Sequence, residues 1–87
     1  MLTVEKAAIK SAVDGKVISV DRPGRHHDVI RIMVEKGYPK PIKGEQGFVL
    51  SNGVFARRRA SYVVAKRADQ IIRSEVNPNY LTSEDVW

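Results

Sequence analysis

The sequence predicts an α+β domain: a small antiparallel sheet of two β-hairpins backed by two helices, in ββα-ββα order. Three observations carry this. Two turn dipeptides, Asp14-Gly15 and Asn52-Gly53, each stand between apolar runs. Both residues of Asn-Gly tolerate the positive φ that tight hairpin turns require, which makes it the strongest short-range hairpin signal. Each hairpin is followed by a stretch with helical spacing. Finally, 87 residues make one domain, 1–87, and a single sheet-and-helix layer accounts for all of it.

The first hairpin is expected over Val4–Val13 and Lys16–Val20, where Val17, Ile18 and Val20 are β-branched and suit a strand. Pro23-Gly24 in the loop Asp21–Gly24 stops it and reverses the chain. From Arg25 to Lys36 the pattern is helical, with Val29, Ile30 and Met33 on one face and Gly37 as a C-terminal stop. Two prolines make Tyr38–Glu45 an extended loop. Phe48-Val49-Leu50, the turn Ser51-Asn52-Gly53 and Val54-Phe55 form the second hairpin. A helix is expected from Arg58 to Asp69, burying Ala60, Val63, Val64, Ala68 and Ile71 and turning Lys66 and Arg67 outward. The remaining tail has Asn77-Pro78-Asn79, Tyr80-Leu81, the acidic Ser83-Glu84-Asp85, and Val86-Trp87.

Composition narrows the function classes. A chain this short buries only about two-thirds of its unfolded surface, so it gains much from oligomerisation. It has no cysteine and no metal-spaced ligand set, so neither disulfides nor zinc are expected to staple it. Neither a secretion leader nor a membrane span is read. Fifteen Lys and Arg against ten Asp and Glu give a net charge of +5, which favours an anionic partner without choosing among nucleic acid, nucleotide and membrane.

Three places are candidates for binding. In Arg25-His26-His27-Asp28 the arginine offers a planar fork and a histidine such as His26 a hydrogen bond to a phosphate or ribose hydroxyl. Alternatively, Asp28 and the histidines cap the helix while one ring packs beneath it. Adjacent residues on a helix diverge too far to share a metal readily. Phe48 is either core, as strand alternation favours, or an exposed stacking platform, with Gln46 nearby to meet a base edge. Arg57, Arg58 and Arg59 are either a solvated helix start or an anion site, the latter because the helix dipole opposes cations there and an arriving anion would offset them. No Ser/His/Asp or Cys/His set, no paired carboxylates and no Gly-rich phosphate loop is present, so no enzyme is expected and no cofactor.

The order AAIK…DGKV…GRHHDVI, then GEQGFVLSNGVFARRRASYVVAKRADQI, then LTSEDVW resembles small phage proteins of the first anti-Thoeris (Thoeris anti-defence) family over nearly the full chain. The resemblance implies a non-enzymatic sponge acting in the cytoplasm of the infected bacterial host. Such proteins sequester cyclic ADP-ribose isomers made by TIR-domain immune proteins, and some relatives hold cyclic oligonucleotides at separate sites. It further implies a homo-oligomer with sites between protomers. Arg25 would then contact phosphate, Phe48 would stack on a base, and Arg57 or Arg58 would be a polar contact. Relatives commonly carry Asp or Asn where Arg57 stands, so an ordinary N-cap is lost here. The alternative is a basic inhibitor, such as an anti-CRISPR protein, that binds nucleic acid or a host protein.

Overall fold

The computed structural model describes residues 1–87. Four strands and two helices follow one another as β1 (Val4–Ser11), β2 (Val17–Asp21), α1 (His26–Glu35), β3 (Gly44–Leu50), β4 (Phe55–Arg57) and α2 (Arg58–Arg67), with a 3₁₀ turn at Ser83–Asp85. The fold is α+β. The sheet is antiparallel throughout in the order β2-β1-β3-β4, so the two hairpins join through their first strands.

Register decides which residues meet the helices. Ala7 lies opposite both Val20 and Phe48, Phe48 opposite Ala56, and Ile9 opposite Ile18 and Gln46. Alternation therefore puts Ala7, Ile9 and Phe48 on one face. The helices pack there as two adjoining clusters. Val29 and Met33 of α1 pack on Ala7 and Ile9. Ala65 of α2 joins Val4, Phe48, Leu50, Leu81 and Val86. Trp87 packs against both clusters and is the wedge between them.

Both helices end alike. Gly37 takes φ 95°, while the Tyr38 N–H bonds Met33 O and the Gly37 N–H bonds Val34 O. This is the closure of a left-handed helix stop, which Gly adopts without a Cβ clash. α2 closes through Asp69, at φ 55°, with Gln70 N–H on Ala65 O. It thus ends two residues before the expected Asp69. Gln70 then clasps β1, accepting from Val4 N–H at 2.7 Å and donating to Val4 O at 2.9 Å.

Two further expectations are corrected. The loop Tyr38–Glu45 gives up its last two residues to β3, because β1 runs on to Ser11 and offers Gly44 and Glu45 partners. The buried stripe of α2 is rotated: Ser61 and Ala65 face the sheet, whereas Ala60 and Val63 are exposed. The Ser61 hydroxyl donates to Ala56 O at 3.1 Å, which removes the penalty of burying it. The tail, to which the sequence assigns no element, packs into the core, with Leu81, Ser83, Asp85 and Val86 all buried.

Candidate functional site

The N-terminus of α1, the middle of β3, the N-terminus of α2 and the tail converge on one corner. Arg25 precedes α1, and its backbone N–H donates to the Asp28 carboxylate at 2.8 Å. That bond, ahead of the charges of His27 and Arg31, holds the Asp28 carboxyl below its ordinary range. The Arg25 side chain crosses to the tail. Nη2 donates to Trp87 O at 2.6 Å, and Nη1 lies 3.7 Å from Glu84 Oε1. Nη1 is buried with no hydrogen-bond partner.

His26 packs beneath the helix. Its Nε2 is 2.8 Å from Gly47 O, and its ring meets Phe48 edge-on at 5.0 Å. Burial pushes the imidazole below its ordinary pKa; Arg58 adds to the effect, while the Gly47 carbonyl and Glu84 oppose it. The ring is therefore neutral, with Nε2–H donating to the carbonyl. Gly47 itself is fixed by close approach: a Cβ there would collide with Ala56 O and lie 2.8 Å from the Phe55 ring.

Phe48 is 0% exposed and wedged between His26 and Trp87, whose ring stands perpendicular to it at 6.0 Å. Neither ring face is free, so the stacking platform is not at Phe48. The residue holds the core position that strand alternation gives it.

Arg58 and Gln46 are joined, the guanidinium donating to the Gln46 side-chain oxygen. The same guanidinium lies 3.9 Å from the centroid of the Tyr80 ring, a cation–π contact. Tyr80 is 57% exposed, and Arg58 Nε is buried without a partner. Arg57 is not brought to this corner. It belongs to the opposite face of the sheet, where Nε meets Glu45 at 2.6 Å. Arg59 is exposed. The start of α2 has no side-chain cap and no acidic residue in its first turn.

Arg25, His26, Gln46, Phe48 and Arg58 thus share one neighbourhood, though only Arg58 and Gln46 present polar groups beside an exposed aromatic. Nothing in the sequence marks Tyr80, because it stands 22 positions after Arg58 in the irregular chain that follows α2 and leaves no periodic trace. The corner can hold a planar group on the outer face of Tyr80 and an anion at the arginines. A separate cleft of about 660 Å³, lined by Asp14, Lys16 and Tyr38 among others, contains none of these residues. No three His, Cys, Asp or Glu side chains are grouped to hold a metal. No helix is long and apolar enough to cross a membrane.

A family model described as phage T4 y16D protein matches residues 3–87. No curated protein and no solved structure matches the chain.

Proposed function

We propose that this chain, which belongs to the phage T4 y16D protein family and is a phage protein, is an anti-defence sponge that binds a cyclic nucleotide of the cyclic ADP-ribose type and holds it uncleaved. The observation that carries the reading is the Arg58–Tyr80 pair, a guanidinium 3.9 Å beneath a ring whose exposure is 57%. A cyclic ADP-ribose has a base to stack and a pyrophosphate to neutralise. Tyr80 supplies the first and Arg58, backed by the uncapped start of α2 and by Arg59, the second.

Holding without cleavage fits the same corner. The buried histidine is committed through Nε2 to Gly47 O, and no carboxylate is hydrogen-bonded to it as an orienting partner. General acid–base work needs a group within reach of the ligand and free to exchange its proton. Tyr80 covers one face of a ligand only, so a second protomer completes the enclosure. The sponge is then a homo-oligomer working in the host cytoplasm, where TIR enzymes make their signal.

Capture and release tests this reading. Protein is incubated with the product of an activated TIR enzyme, freed of unbound ligand, and heated. Intact cyclic ADP-ribose in the supernatant is the expected result. Signal left in the free fraction, or returned as a linear product, overturns the proposal.

A further inference from the structure

We infer that the outward face of α2 is a docking groove for an acidic amphipathic segment of a partner protein, separate from the Arg58–Tyr80 corner. Arg59, Ala60, Val63, Lys66 and Arg67 are all exposed, and their spacing puts them on one side of the helix. No acidic residue occurs anywhere in Arg58–Arg67. Beside Val63 lies an apolar groove of about 310 Å³ lined by Met1, Leu2, Val63, Val64 and Arg67.

The wall formed by Leu2 is fixed in place. Thr3 N–H donates to Ser51 Oγ at 3.0 Å, and Ser51 N–H donates to Thr3 O at 2.8 Å. Leu2 and Val63 remain 41% and 43% exposed. The surface therefore has an apolar centre with cations above and below it on the helix, at Arg59 and Arg67. An occupant needs apolar side chains at helical spacing to enter the groove and carboxylates on either side to meet the arginines.

Charge also excludes the simplest other occupant, a second copy of this chain. Two α2 helices crossing antiparallel at Val63 place Arg59 of one against Arg67 of the other. Parallel packing sets each arginine against itself. Either arrangement buries like charges around the apolar contact, which is disfavoured. An acidic partner relieves the repulsion between Arg59, Lys66 and Arg67 that the isolated helix carries.

The probe is a labelled 18-residue helical peptide with Leu at i, i+3, i+4 and i+7 and Glu on the flanks, titrated into the full chain by fluorescence anisotropy. A Lys-for-Glu version of the peptide and a DNA duplex are run in parallel. The Glu peptide is expected to bind, and both Val63→Glu and the pair Arg59→Glu/Arg67→Glu are expected to weaken it at least tenfold. Melting temperature should stay at the wild-type value in both variants, and retention of cyclic ADP-ribose should stay at the wild-type value in Val63→Glu. No binding of the Glu peptide, equal binding of the Lys version, or unchanged affinity in the variants overturns the inference. So does duplex binding that the arginine pair alone abolishes, which makes nucleic acid the occupant. A concentration-dependent dimer lost in Val63→Glu likewise overturns it in favour of self-association.

Discussion

His26 Nε2 lies 2.8 Å from the carbonyl oxygen of Gly47, so one buried bond ties the first turn of α1 to β3. Burial lowers the folded pKa of this ring below its ordinary 6.5. The unfolded chain therefore binds the proton more readily, and stability rises with pH across that window. The contribution is complete above pH 6.5 and is lost as pH falls through the folded pKa. Asp14, Asp28 and Glu84, all held below their ordinary values, act at lower pH. Melting curves from pH 5 to 8 should show wild type weakening below 6.5. His26→Phe should be less stable at pH 8 by about 1–3 kcal/mol, having orphaned a buried carbonyl, and should lack that slope. Equal slopes in both proteins would contradict the assignment.

Phe48 is a core residue, and its truncation should show as lost stability. Phe48→Ala is expected to cost about 3–5 kcal/mol, a large part of what so small a domain has. Urea unfolding measures it, with Phe48→Leu as the milder comparison. A Phe48→Ala protein that melts like wild type but fails to hold ligand would return the ring to the surface.

Arg25 is expected to pin the tail even with no ligand present. Removing a charged donor from Trp87 O costs about 1.5–3 kcal/mol, felt locally as faster opening. Hydrogen exchange at Thr82–Trp87 should accelerate in Arg25→Ala before any ligand is added. Unchanged exchange there would mean that Arg25 serves ligand alone.

The parts of this fold that are local in sequence were the legible ones. Asp14-Gly15 and Asn52-Gly53 mark both hairpins, and Gly37 stops α1, because each is a backbone requirement met by adjacent residues. What pairs across the chain was not legible. Alternation says that Phe48 faces inward, but nothing in its neighbourhood says that Trp87 closes over it. Ser61 reads as polar and gives no sign of burial, since its acceptor, Ala56 O, is in place only once β4 turns into α2. The same holds at the candidate site. Gly-Arg-His-His and the arginine run are far apart in sequence and meet at one corner only in part, since Arg57 and Arg58 leave on opposite sides of the sheet. Tyr80, which gives the corner its exposed aromatic, sits in a segment with no periodicity to read.

Tyr80 is the residue on which the proposed ligand would rest. Isothermal titration of cyclic ADP-ribose into wild type, Tyr80→Phe and Tyr80→Ala, with a melting curve on each sample, separates binding from folding. Wild type and Tyr80→Phe should bind, because both keep a ring over Arg58. Tyr80→Ala should lose about 1–3 kcal/mol of binding, the worth of one stacked base, with its melting temperature unchanged. A wild-type protein that gives no binding heat would contradict the sponge itself. Binding that survives intact in Tyr80→Ala would contradict the placing of the ligand on the Arg58–Tyr80 pair.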